Sequence, residues 1–572
     1  MSPETSTTDD SSGLTWPPPG PGSWMLDRTH KATTITQPWQ DVFGIAMAGG
    51  FRSWTARYGL PLSHLEVRFV RGYGYVRPVP AGVRDTGRAD PPPRPLLRVL
   101  VPLVPELRRR AGAARRAVDE RIWVADASRW WEETRPARVT ANLALQDVNL
   151  ASADPAALSA HLHRANAVLG TGLAEHFGLI GAISVPVGRL LVAAETWGTG
   201  PAEVLKLLRG SSPGSLEPAC SLARVGGLLA QADTAISSME EIPAGSAAAT
   251  AVDEVLRLHG WRLFADADLD APTLGELPAS VAALINAGTR GPATLAESSA
   301  CVDAARQRVP ARERARFDRL LAEARGGYAL RDDNVGVCVQ WTGGLLRRAL
   351  LEAGRRLAAS GALEIPQHVF ELHVSETAEL LTGGLGPGRP DAASAAARAR
   401  ARSIGASACP PPLLGPPAGD PPASSAFPRA MAEVSRAVDA YRSLMEGPKP
   451  ASQPSGTGIG TGVGTGTYRG RAVVVADAAE AMARITPGDV LVMAVTNPCV
   501  NPALALAGAV VTEQGGMLCH TAIAARELGL PAIVGLHAAT TRIPDGAIVE
   551  VDPAQGTVAV SGARAQEAQA WW

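Results

Sequence analysis

One histidine, His520, follows a glycine pair and precedes a segment with helical periodicity, in the stretch EQGGMLCHTAIAARELGLPAIVG. A side chain there faces the exposed amides of a helix start, where anions bind readily. Gly515 and Gly516 let the backbone approach a ligand closely. An imidazole in that place can attack phosphorus, transfer a proton, or simply cap and pack at the helix start. Periodicity alone leaves these three interpretations open.

The residues around His520 predict the elements that hold it. The stretch GAVVTE predicts a buried strand that ends at Thr512, because apolar and β-branched residues fill it. After the histidine, apolar residues recur at the spacing of a helix face, and Gly529 stands where such a helix would end. The sequence therefore predicts a strand, a glycine loop and a helix whose first turn carries His520.

A second polar group stands near the N-terminus, in the stretch LDRTHKA. It brings together Asp27, Arg28, His30 and Lys31. A functional interpretation makes His30 a general acid or base that faces His520 and is oriented by Asp27. Arg28 and Lys31 would then bind substrate or phosphate. A structural interpretation makes the same residues a polar turn that holds the first strand.

Composition excludes several classes of function. The chain has 572 residues and a formal net charge of −1; this length predicts roughly two to four domains. The charge balance offers no basic surplus for nucleic acid or for an anionic membrane. The six cysteines form no CxxC pair, which argues against a zinc site or a disulfide framework and fits a reducing compartment. We find no uninterrupted apolar run of the roughly 20 residues that a bilayer requires, and we expect a cytoplasmic protein without a metal site.

Changes in composition divide the chain into segments. Residues 1–22 are polar, acidic and Pro-rich, which is typical of a disordered tail rather than a signal peptide. Residues 23–415 predict a mainly α-helical substrate (acceptor) domain, and residues 416–455 a helix and linker. Residues 456–563 mix short β-branched runs with helical pieces, and residues 564–572 form a C-terminal tail. The predicted fold is multidomain, a mainly helical N-terminal domain followed by a C-terminal α/β domain.

Two glycine-rich segments need separate interpretations. Residues 383–425 are punctuated by Pro and Gly and predict an irregular segment. Glycine occupies every second position from Gly456 to Gly466, but no window reads GxGxxG and no Gly-Lys-Ser/Thr follows. This ladder is therefore no nucleotide-binding loop, and its composition predicts a flexible hinge.

The stretch GGMLCHTAIAARELGLPAIVG resembles the phosphohistidine signature of the phosphoenolpyruvate-utilising enzymes, and the flanking GDVLVMAVTNP and ATTRIPDGAIVEVDPAQGTV agree with it. The resemblance covers about residues 458–560. It implies a swivelling domain that carries phosphate on His520 between two remote sites, with Thr496, Gly515, Gly516 and Cys519 at its loop. Leu518 and Thr521 depart from the small or hydroxyl residues often found there.

A weaker, patchy resemblance covers about residues 24–381. The stretches WMLDRTHKATTITQPW and RFVRGYGYV resemble the acceptor domain of rifampicin phosphotransferases, and so does the longer segment that contains LLRRALLEAGRRLAASGALEIPQHVF. This resemblance suggests Arg347 as a phosphate-handling residue, with Arg331 a further candidate; a solvated helix face is the alternative for both. In that family an ATP-grasp domain charges the histidine, and we find no room for one before Trp24. We therefore expect the chain to bind no cofactor alone: either ATP and Mg act through a partner ATP-grasp chain, or phosphorylation has been lost.

Three functions follow from these resemblances. The first is a phosphotransferase in which His520 passes phosphate to a hydroxyl of a small apolar natural product of secondary metabolism. The second is an ATP-independent dehydratase or lyase acting on a secondary-metabolite alcohol, with His520 and His30 as acid and base. The third is a non-catalytic subunit of a split phosphotransferase. For each we expect a small-molecule or protein partner, and neither nucleic acid nor a membrane.

Overall fold

The structure is a computed structural model. It describes residues 8–9, 14–27, 33–82, 94–234, 236, 238–264, 268–286, 298–383, 389–417, 419, 422–447, 459–496 and 500–561. The chain forms two compact units. The first comprises residues 1–182, 267–270 and 337–435, and the second comprises residues 183–266, 271–336 and 436–572. Residues 23–415, expected as one acceptor domain, thus contribute to both units.

Helices dominate the chain before the C-terminal domain, as the three- and four-residue apolar spacing predicted. They are α1 (Gln37–Arg57), α2 (Arg94–Leu103), α3 (Pro105–Glu120), α4 (Ile122–Arg129), α5 (Arg135–Gln146), α6 (Pro155–Gly178), α7 (Ile180–Thr196), α8 (Pro201–Leu207), α9 (Ala219–Gln231), α10 (Ala247–His259), α11 (Pro278–Asn286), α12 (Ser299–Arg308), α13 (Arg314–Val335), α14 (Trp341–Ala359), α15 (Val374–Gly383), α16 (Ala392–Ala406) and α17 (Arg429–Glu446).

Strands occur at both ends of the chain. Those of the first unit are β1 (Thr8–Asp9), β2 (Thr15–Trp16), β3 (Trp24–Leu26), β4 (Leu62–Val70), β5 (Tyr73–Pro80) and β6 (Leu413–Leu414). The C-terminal domain contains β7 (Thr461–Val463), β8 (Tyr468–Val474), α18 (Ala478–Arg484), β9 (Val490–Met493), α19 (Asn501–Leu506), β10 (Ala509–Thr512), α20 (His520–Leu528), β11 (Ala532–Val534), α21 (Ala539–Arg542), β12 (Ile548–Asp552) and β13 (Thr557–Ser561). The predicted fold class, helical first and α/β last, is confirmed.

Helix α1 packs against both helical and strand elements of the first unit. It packs against α6 and against the strand β4, and it buries Trp39, Phe43 and Phe51. A Cβ atom at Gly50 would lie 2.5 Å from a backbone oxygen of α6, so glycine there allows the two helices to approach closely. Strands β4, β5, β3 and β6 form an antiparallel sheet in that order. The long α1 and the sheet edge β4 therefore lie side by side.

The C-terminal sheet has the order β13-β12-β8-β9-β10-β11-β7, with parallel pairing from β8 to β11. Successive residues of a strand point to opposite faces. Leu491 and Met493 join a core cluster that includes residues of α9 and α11, whereas Val490 and Val492 join the cluster on the other face. One face of the sheet thus shares a continuous hydrophobic core with the helices of the second unit.

Three sequence expectations differ from the structure. Residues 392–406, expected as irregular, form α16, because an Ala- and Arg-rich run follows an Asp391 capping box. Part of the glycine ladder is the strand β7, paired with β11, and a Cβ at Gly462 would meet the Pro553 carbonyl oxygen. The ladder's first glycines, to residue 458, lie outside the described residues. Finally, Pro155–Thr196 is apolar enough to cross a membrane, contrary to expectation, but 72% of its most apolar window is buried, as in a core helix.

Candidate active site

His520 begins α20, immediately after the glycine loop that follows β10. Strand β10 ends at Thr512 and Gly529 closes α20 in the left-handed region, with φ of 68°. Both features were predicted from the sequence and are confirmed. Gly515 has φ of 111°, which few residues other than glycine adopt. The strand, the loop and the short helix therefore fix where the imidazole lies.

The imidazole of His520 lies between two polar side chains. Its Nε2 atom is 2.5 Å from Oδ1 of Asn501, the first residue of α19. Its Nδ1 atom is 3.5 Å from Oδ2 of Asp332, on α13. The side chains of His520 and Asp332 are only 6% and 4% exposed. The histidine is thus buried and has an oxygen facing each ring nitrogen.

The chemistry of the two neighbours assigns different roles to the ring nitrogens. An ionised carboxylate only accepts hydrogen bonds, so Asp332 favours a proton on Nδ1. The Asn501 oxygen accepts from Nε2 as it is placed, so a lone pair on Nε2 requires that this amide rotate and present its NH2 group to the ring. An imidazole in this tautomer can attack an electrophile or accept a proton through Nε2. The pair therefore orients a nucleophile or base.

The glycine loop is seated on the C-terminal end of α17. The backbone amide of Gly516 donates to the Met445 carbonyl at 3.0 Å, and that of Leu518 donates to the Leu444 carbonyl at 2.8 Å. A Cβ at Gly516 would lie 2.3 Å from the Leu444 oxygen and 2.6 Å from the Gly447 nitrogen. The close approach that requires glycine is thus to α17, whose carbonyls accept from the Gly516 and Leu518 amides.

Cys519 directly precedes the histidine, and Thr496 contacts Thr521, the residue that follows it. The hydroxyl groups of Thr496 and Thr521 form a hydrogen bond with each other. Thr521 directly follows His520, so this bond connects the segment after β9 to the first turn of α20. Burial raises the pKa of the Cys519 thiol, so the protonated thiol predominates at neutral pH and its nucleophilic form is disfavoured.

Two arginines, Arg331 of α13 and Arg526 of α20, lie close to the site. Arg331 is 3.3 Å from Asp332 and donates to the sulfur of Met445 at 3.6 Å. Burial alone would lower the pKa of Arg331, but Tyr441 and Asp332 raise it overall, so the guanidinium stays charged. Arg526 of α20 donates to the Met517 carbonyl at 3.0 Å. Among the described basic residues that were predicted to handle phosphate, Arg331 is therefore the one beside the His520–Asp332 pair.

The other predicted site residues either belong to the first unit or lie outside the described residues. Arg28, His30 and Lys31 lie outside the described residues. Asp27 belongs to the first unit, where its backbone amide bonds the Gly74 carbonyl at 2.9 Å. Arg347 also belongs to the first unit, donates to the Leu269 carbonyl at 2.9 Å and lies 5.5 Å from the Phe370 ring centroid.

Sequence reasoning missed the two side chains nearest the imidazole. Asp332 directly follows Arg331 in the stretch ALRDDN, and that acidic pair was the available signal. Asn501 follows Thr496 by five positions, in the stretch TNPCVNP. Neither stretch indicates a contact with His520, because Asp332 precedes His520 by 188 residues and Asn501 precedes it by 19.

Comparison with known proteins assigns both halves of this site to described families. Residues 485–556 match the model of the PEP-utilising enzyme mobile domain. Residues 221–332 match the model of the rifampicin phosphotransferase fourth domain. His520 lies in the first matched segment, and Asp332 is the last residue of the second.

The matches to individual relatives cover only a small part of each relative's length. Phosphoenolpyruvate synthase of Aeropyrum pernix is 43% identical over 100 residues, which is 18% of this chain and 12% of that protein. Phosphoenolpyruvate synthase of Pyrococcus furiosus is 45% identical over 89 residues, 16% of this chain and 11% of that protein. An uncharacterized protein of Mycobacterium tuberculosis is 33% identical over 216 residues, 38% of this chain and 21% of that protein. The matches confirm the predicted resemblance: residues 485–556 are similar to the mobile domain of the phosphoenolpyruvate-utilising enzymes and residues 221–332 to the fourth domain of rifampicin phosphotransferase, and the chain spans only 11% to 21% of these relatives' own lengths.

Proposed function

We propose that this chain is a cytoplasmic phosphotransferase-type enzyme that carries a phosphoryl group on Nε2 of His520. The single observation that carries the proposal is the buried His520–Asp332 pair, with 3.5 Å between Nδ1 and Oδ2. Asp332 would hold the proton on Nδ1 once the Asn501 amide turns its oxygen away from Nε2, and the Nε2 lone pair would then form the bond to phosphorus. The family matches support this chemistry, because both members of the pair lie in the matched segments.

In the proposed reaction, His520 passes the phosphoryl group to a hydroxyl of a small molecule. The P–N bond breaks as a P–O bond forms, and the hydroxyl proton passes to a base. The phosphoryl donor would be ATP with Mg, brought by a separate ATP-grasp chain. The acceptor we expect is a natural product with an apolar body.

The burial of His520 implies a moving domain in this proposal. With 6% of its side chain exposed, the imidazole cannot reach a donor and an acceptor while the loop remains seated on α17 and faces α13. Release of the Gly516 and Leu518 hydrogen bonds to α17 would free the loop. A swivelling C-terminal domain would then carry the phosphorylated histidine between the two partners.

The test is the intact mass of the purified chain after incubation with potassium phosphoramidate, which phosphorylates histidine without a protein partner, and in parallel with ATP and Mg. We expect an acid-labile phosphate on the peptide that contains His520 in the wild type and none on that peptide in His520→Ala; peptide mapping separates it from phosphate on exposed histidines, which the reagent also reaches. His537→Ala, which removes an exposed histidine of the same domain, serves as the matched control. An unchanged wild-type mass with both donors would contradict the proposal.

A second candidate is the ATP-independent dehydratase. The buried pair supports it as well, because a carboxylate-oriented imidazole also transfers protons. The other histidine of that interpretation, His30, lies outside the described residues. Formation of an alkene from a candidate alcohol without any phosphoryl donor, lost in His520→Ala, would favour this candidate over phosphotransfer.

A further inference from the structure

The first unit contains an open groove of about 1070 Å³ between α1 and β4. One face of α1 lines it through positions that recur every turn, including Asp41, Ile45, Ala48 and Arg52. Small residues on this face leave space, and Ile45 is 78% exposed there. The β4 side adds Val67 and further apolar side chains. An apolar ligand body of modest size would therefore find a wall to pack against.

Two guanidinium groups give this groove a positive character. Arg52 donates to Nε2 of His64 at 2.9 Å, and Arg71 donates to the Thr15 carbonyl at 2.9 Å. Neither of these acceptors is a carboxylate, so neither hydrogen bond neutralises the charge. Glu66, which also lines the groove, contrasts with them because Arg68 and Arg77 bind it at 2.9 and 2.5 Å. The groove therefore suits a ligand that carries an anionic group.

Asp41, near the N-terminal end of α1, lines the groove and contacts His373, which lies next to the lining residues rather than among them. Nδ1 of His373 is 2.7 Å from Oδ1 of Asp41, and Gln37 donates to the same oxygen at 3.0 Å. The His373 side chain is 46% exposed, whereas that of Asp41 is 22% exposed. The turn before α15 is fixed, because the His373 amide donates to Glu376 at 2.9 Å and Arg398 pairs with Glu376. The arrangement orients an imidazole whose Nε2 can accept a proton.

We propose that the α1–β4 groove binds a small molecule with an apolar body, an anionic group and a hydroxyl, and that His373, oriented by Asp41, accepts the proton of that hydroxyl. This inference rests on the proposed phosphotransfer from His520. As the P–N bond of phosphohistidine breaks and the P–O bond forms, the hydroxyl proton passes to Nε2 of His373. Nε2 of His520 regains its lone pair, and His373 later releases its proton to water.

Binding is tested first, by calorimetric titration of the full chain with 3-hydroxyoctanoate and with the neutral 1,3-octanediol. We expect the carboxylate to bind about tenfold more tightly than the diol, the worth of one charge-assisted contact. Arg52→Gln combined with Arg71→Gln removes this preference, and Ile45→Trp, which fills the groove, removes binding of both probes. Ile404→Trp alters an exposed isoleucine of α16 and serves as the matched control. Failure of the wild type to bind either probe overturns the groove as a ligand site.

The proton transfer is tested on chain charged with phosphoramidate, by following the phosphate ester of 3-hydroxyoctanoate. We expect His373→Ala to lower ester formation by about 10²-fold, and added imidazole to restore part of it. A loss that imidazole does not restore assigns His373 a structural role and overturns the base. The charge on His520 is measured on the same samples. An uncharged wild type would refute phosphotransfer and the base with it, while the titration still decides the groove.

Discussion

The described residues include two histidine–aspartate pairs, one buried and one largely exposed. In the second unit, His520 and Asp332 are 6% and 4% exposed, and 3.5 Å separates Nδ1 from Oδ2. In the first unit, His373 and Asp41 are 46% and 22% exposed, and the corresponding distance is 2.7 Å. The buried pair belongs to the segments matched to known families, whereas the exposed pair lies outside them.

The contrast separates two tasks that an imidazole can perform. Burial strengthens the interaction between charges but removes the ring from ligands in solution. A buried pair therefore suits a group that is held in one tautomer until its domain moves. An exposed pair is accessible to a diffusing molecule, although water weakens the coupling between its members. Both pairs consist of a histidine and an aspartate, so they differ in solvent access and in the strength of the electrostatic coupling rather than in residue type.

The largest expected effect breaks the buried pair. Asp332→Asn keeps the shape of the side chain but can present an NH2 group to Nδ1, which favours the wrong tautomer of His520. We expect the rate of His520 phosphorylation to fall by about 10²-fold or more, since the loss of an orienting carboxylate has effects of this size. Intact mass against time measures it.

Asp333→Asn supplies the matched control for this prediction, because it changes the adjacent carboxylate on α13. Equal phosphorylation rates in Asp332→Asn and Asp333→Asn would show that the buried pair does not orient the histidine.

The second prediction concerns the pH dependence of stability. Besides His520, α20 carries a buried carboxyl group, that of Glu527. Burial raises the pKa of Glu527 to about 7, although the Gly210 amide and Arg526 act in the opposite direction. The folded state therefore keeps a proton that the unfolded chain loses near its ordinary pKa of about 4.5. The resulting stability is fully present below that value and is lost as pH rises through about 7.

We expect the wild type to lose on the order of 3 kcal/mol of unfolding free energy from this group between pH 4.5 and 8. Glu527→Gln, which cannot titrate, should lack this decline. Urea denaturation across the pH range measures both proteins. Parallel pH profiles would show that the helix end carrying Glu527 is not buried in solution.

The third prediction concerns a substitution that should increase the solvent exposure of the buried His520. Gly516→Ala places a Cβ 2.3 Å from the Leu444 oxygen, so the loop must lift from α17 at a cost of about 2 kcal/mol. His520 should then react faster with diethylpyrocarbonate, approaching the rate of His373. Gly326→Ala is the matched control: its Cβ would meet nothing within 4 Å, and alanine within α13 should stabilise by about 1 kcal/mol. Unchanged His520 reactivity in Gly516→Ala would show that the loop is not seated as described.

The two pairs also show how far the sequence reaches. Local patterns sufficed for the strand ending at Thr512, the helix closed by Gly529 and the position of His520 between them, because each depends on neighbouring residues. Asp332 and Asn501 could not be predicted in the same way, since packing of distant elements brings them to the ring. Gly516 was noticed for the right reason, a close backbone approach, but the partner is α17 rather than a ligand. The exposed His373 escaped notice because its partner Asp41 is 332 residues away.

The smallest expected effect concerns Cys519, which lies beside the buried histidine and differs from it in chemistry. Because burial raises the pKa of its thiol, little thiolate forms at neutral pH, and the residue contributes the backbone of the helix cap rather than a nucleophile. Cys519→Ser should therefore change His520 phosphorylation by less than about twofold. In the native wild type, a thiol reagent such as dithionitrobenzoate should modify the exposed Cys301 and Cys409 before Cys519. Rapid modification of Cys519, coupled to loss of His520 phosphorylation, would mean that the glycine loop opens readily in solution. The contrast between the buried and the exposed pair would then hold for one of several conformations of the protein.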